Sequence, residues 1–194
     1  MKIKFTLIIV FLTTIYTPTI AQEHLKFKNI PIDGDIKAFS EKMIEAGYTT
    51  EPDAGTDSFA AFEGSFMGKP STIIVFHTPG GLVYKVMVMH EYSTWSSLSS
   101  AYDDAMELYT KKYGKPSKQY AFFSEPYYKG DGFELQALRN DKCHYICVWE
   151  VPFGNIGIQL VSLGSSYYVT MGYEDIMNME LKNLEEEKKA LDEI

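Results

Sequence analysis

CHYICVWEVPFGNIGIQLVSLGSSYYVTMGY, residues 143–173, is the stretch on which the fold turns. Cys143–Val151, Ile156–Leu163 and Tyr167–Tyr173 carry alternating, β-branched and aromatic residues. Pro152-Phe153-Gly154-Asn155 and Gly164-Ser165-Ser166 divide them with turn-forming residues. Three strands with such short connections form an antiparallel meander. Residues four apart on an extended strand are about 13 Å apart, beyond the roughly 4.4–6.8 Å between Cα atoms that a disulfide tolerates. Cys143 and Cys147 are therefore expected as two buried free thiols on the face of Tyr145 and Trp149.

Upstream of this meander the periodicity changes. Leu98, Tyr102, Ala105, Tyr109 and Tyr113 recur at spacings of three and four, which predicts a helix over Ser96–Tyr113. Its acids Asp103, Asp104 and Glu107 lie toward the first half and Lys111 and Lys112 in the last turn, as the helix dipole favours. Gly114 and Pro116 end it. Further strands are expected at Tyr120–Phe123, where Phe122 should anchor in the core, and at Phe133–Arg139.

The first half shows the same order. Ile36, Phe39, Met43 and Ala46 predict a short helix within Asp33–Ala46, with Asp33 or Asp35 as N-cap and Gly47 as its C-terminal glycine. Thr49–Asp57 reads as a loop. Strands follow around Phe62–Phe66, the turn Gly68-Lys69-Pro70, and the hairpin Thr72–Thr78 with Leu82–Glu91 around Pro79-Gly80-Gly81. The fold class is α+β: antiparallel meander sheets with helices on one face, either one large sheet or two tandem αβββ units over 33–92 and 96–173. The tail 174–194 has eight acids, three lysines and a four–three rhythm of Met177, Leu181, Leu184 and Leu191, and is expected as a terminal helix.

Residues 1–21 read as a secretory signal peptide cleaved after Ala21. Lys2 and Lys4 precede an apolar run of about a dozen residues, short of the roughly 20 that cross a bilayer. Pro18, Thr19 and Ala21 then suit the signal peptidase. Removing the segment takes two lysines and no acid, so the net charge of −8 becomes −10. Such a chain repels phosphate backbones, which argues against nucleic-acid partners, and no stable membrane anchor is expected once the leader is cleaved. A secreted or periplasmic location is the expectation.

His24, His77, His90 and His144 stand at no ligand spacing, and the adjacent Cys143 and His144 point to opposite faces of a strand, so no metal site is expected. Gly64-Ser65-Phe66-Met67-Gly68 departs from the nucleophile-elbow spacing and reads as a hairpin. Gly130-Asp131-Gly132 and Gly154-Asn155-Ile156-Gly157 open no helix that could hold a phosphate, and no cofactor is expected. Glu125, Asp131, Glu134 and Glu150 are spread over separate segments.

Gln119–Asp131 is the segment singled out for recognition, because five of its residues are aromatic. Tyr127 and Tyr128, beside Pro126 and Gly130, have the make-up of rigid amphipathic contacts; the alternative is an aromatic cluster closing the end of the sheet. The expected function is an exported binding module for a protein, peptide or glycan. An envelope hydrolase is the alternative reading, and oligomerisation through the terminal helix a third.

The leader-like start, the helix ending Lys111-Lys112-Tyr113-Gly114-Lys115-Pro116 and the flanking aromatic meanders resemble small uncharacterised exported proteins of gut anaerobic bacteria. The tandem helix-plus-meander plan is also similar to the β-lactamase-inhibitor-protein type of architecture. That resemblance implies a concave sheet that grips another protein, and it carries over no individual residue.

Overall fold

A computed structural model describes residues 23–51 and 55–194. The expected signal peptide lies outside the described residues. A short hairpin, β1 (Lys26–Phe27) and β2 (Ile30–Pro31), leads into α1 (Ile36–Glu45). The meander β3 (Thr49–Thr50), β4 (Phe59–Phe66), β5 (Lys69–His77) and β6 (Val83–Tyr92) follows. The second half repeats the plan with α2 (Trp95–Tyr113), β7 (Lys118–Phe123), β8 (Cys143–Val151), β9 (Gly154–Leu163) and β10 (Ser166–Asp175), interrupted by α3 (Glu134–Arg139). α4 (Ile176–Asp192) ends the fold.

All strands of both meanders join one eight-stranded sheet in the order β3-β4-β5-β6-β10-β9-β8-β7. The last strand of each half pairs antiparallel with the other at the centre, with Met89 opposite Thr170 and Val88 opposite Met171. The first strand of each half forms an outer edge. The fold class expected from the sequence is thus the one observed, with four strands following each helix rather than three.

One face of the sheet carries the core. Phe62, Ile73, Val75, Val86, Val88, Met171, Ile158, Cys147 and Trp149 point to it and are buried. α2 lies across this face because its buried stripe is Leu98, Ala101, Tyr102, Ala105 and Tyr109. Tyr102 meets Tyr145 edge-on at 5.5 Å, and Trp149 Nε1 donates to Gly114 O at 2.8 Å, which ties the end of α2 to β8. Thr94 caps the other end by accepting from Ser97 N. From the hairpin, Phe27 inserts between Phe66 and Tyr173 at centroid distances of 5.6 and 5.4 Å.

Several local expectations are corrected. Phe133–Arg139 is no strand: Glu134–Arg139 forms α3, whose Ala137 and Leu138 bury against the sheet while Arg139 donates to Tyr167 Oη. Helix-forming residues fill the whole segment, and their propensity outweighs the apparent alternation of Phe133, Leu135 and Ala137. Thr49–Thr50 pairs with β4 rather than lying in a loop, and Pro70 sits within β5, at its exposed start. In β6 a bulge places Val83 opposite His77 but Lys85 opposite Phe76. Tyr84 is the inserted residue, so Val83 and then Val86 and Val88 share the core face instead of one unbroken alternation.

A buried polar knot fastens α4 to the sheet. Asp175 is fully buried and accepts from Leu25 N at 2.8 Å and Asn178 N at 3.0 Å. His24 Nδ1 lies 3.1 Å from Asp175 Oδ1, out of line for a hydrogen bond. Asn178 Nδ2 donates to Ile32 O and Val83 O at 3.0 and 2.9 Å. Beyond this turn the helix runs past the Thr78–Tyr84 hairpin with Lys182 Nζ 6.0 Å from the Tyr84 ring.

Candidate functional site

The second face of the sheet has no helix across its centre among the described residues. Cross-strand register sets its side chains in rows. One runs Ile74, Met87, Gly172, Gly157, Val148, and its neighbour runs Thr72, Met89, Thr170, Gln159, Ile146, Tyr120. Gly157 and Gly172 are paired, and with no side chain on either they leave a trough of about 160 Å³ lined by Met87, Ile146, Val148, Asn155, Gln159 and Thr170. The Lys85–Glu174 ion pair, 2.7 Å between Nζ and Oε1, closes one end of it.

Toward β7 the face turns aromatic. Tyr120 and Phe122 stand on it with 49% and 48% of their surface exposed. Phe122 therefore does not anchor in the core: β7 is the last strand of the sheet, and the register turns Phe122 away from α2, onto His144 at 4.7 Å. Phe123, the next residue, takes the core side against Trp95 and Tyr145. His144 Nε2 lies 3.4 Å from Ser124 Oγ.

The outer edge of β7 also presents backbone. Ser124 N donates to Lys142 O at 2.7 Å, and hydrogen-bonded pairs alternate along an antiparallel ladder. The main-chain groups of Phe122 and Tyr120 thus turn inward to β8, and those of Gln119, Ala121 and Phe123 turn outward.

Tyr127 and Tyr128 lie just beyond this edge and part company there. Tyr127 is half-buried against the core, and its hydroxyl accepts from Asn140 Nδ2 at 2.9 Å. Tyr128 is 66% exposed, beside Phe133 at 58%. Asp131 organises the loop by accepting from Tyr128 N at 2.9 Å and from Phe133 N at 2.7 Å, and Glu134 accepts from Gly130 N at 2.9 Å. Pro126, Tyr127, Tyr128, Asp131, Phe133 and Gln136 line a shallow depression.

Sequence reasoning missed one polar pair. Ser71 Oγ lies 2.7 Å from His90 Nε2 across β5 and β6. Finding it requires the bulge at Tyr84, because a symmetric hairpin around Gly80 would set His90 opposite Pro70. The pair sits on the covered face, with both residues buried. Burial, with Lys69 adding to it, holds the His90 imidazole below its usual range. Ser71 Oγ already donates to Lys69 O at 2.9 Å and accepts from Phe66 N at 3.2 Å, which makes the pair a structural bracket for the β4–β5 turn.

Both cysteines are unbonded and buried. Burial pushes the Cys143 thiol up to about 12, with Glu134 adding to it. Cys147 is raised by burial against the opposing effect of the Tyr102 hydroxyl 3.2 Å away. Neither has the lowered pKa of a nucleophilic thiol.

No family model matches the chain, and no curated protein or solved structure matches it either.

Proposed function

We propose that the protein is an exported binding module that holds an extended segment of another polypeptide along β7, with the rest of that partner spread over the open face of the sheet. The observation that carries this reading is an exposed edge strand that offers two aromatic rings together with a row of main-chain groups beside which no other strand lies among the described residues. Natural sheets guard such edges with charge, proline, bulges or cover, because a bare edge recruits other strands. β7 has only Lys118 at its end. Strand addition uses main-chain hydrogen bonds for affinity and alternate side chains for selectivity. Outward N–H and C=O groups match a polypeptide backbone better than a glycan. The trough and the Tyr120–Phe122 rim form a shallow mixed surface, as recognition of a macromolecule requires, whereas the Ser71–His90 pair that a hydrolase could use is closed off on the other side.

Ala121→Pro tests it. Proline removes an outward N–H and is tolerated on edge strands, so the fold should survive while a partner captured from the envelope or culture fluid is lost. Tyr120→Ser with Phe122→Ser should have the same effect through the side chains. A partner that both variants retain, at unchanged melting temperature, sinks the reading.

A further inference from the structure

α4 presents a second surface of a different kind, independent of the sheet edge. Asn178, Lys182 and Lys189 turn toward the body of the protein: Asn178 is buried, and the two lysines line a cleft with Tyr84 and Pro79, while the exposed Glu185 stands at the rim between that cleft and the neighbouring face. At about 100° per residue, Leu181, Leu184 and Leu191 fall roughly a third of a turn away from that side. They are 48%, 60% and 60% exposed. Their spacing follows a heptad, with Leu181 and Lys188 at a positions and Leu184 and Leu191 at d positions.

The flanking positions say what covers this stripe. Glu185 and Asp192 occupy e, and Glu180 and Glu187 occupy g. In a parallel pair of identical helices Glu180 would face Glu185, Glu187 would face Asp192, and Lys188 would meet Lys188 at the seam. In an antiparallel pair e meets e and g meets g, so acid again meets acid. Like charges across a seam select against the pairing. We infer that α4 is a docking helix for a different chain, a basic amphipathic helix with apolar a and d positions, Lys or Arg at e and g, and an acid or amide opposite Lys188.

Two synthetic helices with Leu at a and d, one with Lys and its twin with Glu at e and g, test this on the purified protein. Binding of the Lys helix should exceed that of the twin by about tenfold or more and weaken as salt rises, since charge pairing sets partner choice. Leu184→Ser with Leu191→Ser should remove that binding without shifting the melting temperature, because neither residue packs on the core. Equal binding of the two helices, binding that survives the double serine variant, or no binding of the Lys helix at low salt overturns the inference. So does self-association in sedimentation that the serine variant abolishes, which would make a second copy the occupant, or leucine-dependent binding to phosphatidylcholine vesicles, which would make it a lipid surface. Loss of binding by the Ala121→Pro variant at β7 has no bearing on these outcomes, so the two surfaces fail separately.

Discussion

Gly157 lies directly opposite Gly172 in the β9–β10 pair, at the centre of the open face. Neither adopts the left-handed backbone that would demand glycine. A Cβ at 157 would meet only Cys147 O at 3.7 Å, and one at 172 only Lys85 Cε at 3.8 Å, both ordinary contacts. The fold has room for side chains at the two positions, and their absence is what makes the trough.

Gly157→Ala and Gly172→Ala should therefore leave the protein as stable or more stable, by up to about 1 kcal/mol, because glycine in a strand interior costs that much relative to alanine. Gly157→Val with Gly172→Val should fill the trough and weaken a partner seated on the face. Chemical denaturation and partner retention measure the two effects separately. A loss of several kcal/mol on the alanine changes would show that the glycines serve the fold instead.

Tyr127 and Tyr128 should separate in the same way. Tyr127→Phe loses the hydrogen bond from Asn140 and should cost about 0.5–1.5 kcal/mol, and Tyr127→Ala more, since the ring packs on the core. Tyr128→Ala should stay within about 0.5 kcal/mol of the parent, as surface changes usually do. Urea unfolding of the three variants checks this ordering. Equal destabilisation by Tyr127→Ala and Tyr128→Ala would place both rings in the core.

The pattern of what was legible follows from how far each feature reaches along the chain. α2 announced itself because a helix's period, cap and C-terminal glycine are all local, and β8 to β10 because alternation and turns are local too. The helix α3 was hidden by the chance alternation of Phe133, Leu135 and Ala137, although the uniform helix propensity of Glu134–Arg139 was there to be weighed. The inserted Tyr84 leaves no mark in a run where both faces are apolar, so the Ser71–His90 pair could not be read. Likewise β6 pairs with β10 across 75 to 89 residues of chain, and that pairing alone decides that one sheet forms and that β7 becomes an edge. The exposure of Phe122 follows from the edge, so the candidate site was legible in composition and not in position.

His90 sets an acid limit on stability. Its folded-state pKa is lowered by burial below the unfolded value of 6.5, so the unfolded chain binds the proton more readily. The contribution of neutral His90 is fully present above about pH 6.5 and is lost as the pH falls through that value toward the lower folded-state pKa. Unfolding free energy measured from pH 7.5 downward should fall through this window. His90→Gln, which keeps a polar partner for Ser71 but cannot titrate, should flatten that part of the curve. An unchanged slope in the variant would assign the acid sensitivity to other groups.

Asp175 should be the costliest polar residue to remove. It caps α4 through Asn178 N, holds the N-terminal hairpin through Leu25 N, and is fully buried, so Asp175→Ala strands two donors that water cannot reach. Each buried unsatisfied donor costs about 1–3 kcal/mol, and losing a helix cap is part of that sum, so the variant should lose about 3 kcal/mol or more. Asp175→Asn keeps an acceptor oxygen for one donor but gives up the second and should fall between the alanine variant and the parent. Because the knot fastens the first turn of α4 to the sheet and the residues from Glu180 onward are exposed apart from Lys182, hydrogen exchange along Ile176–Asp192 should rise in Asp175→Ala before the central strands β6 and β10 lose protection. If exchange rises in the sheet and the helix together, the knot is part of the global fold, and α4 does not detach as a unit.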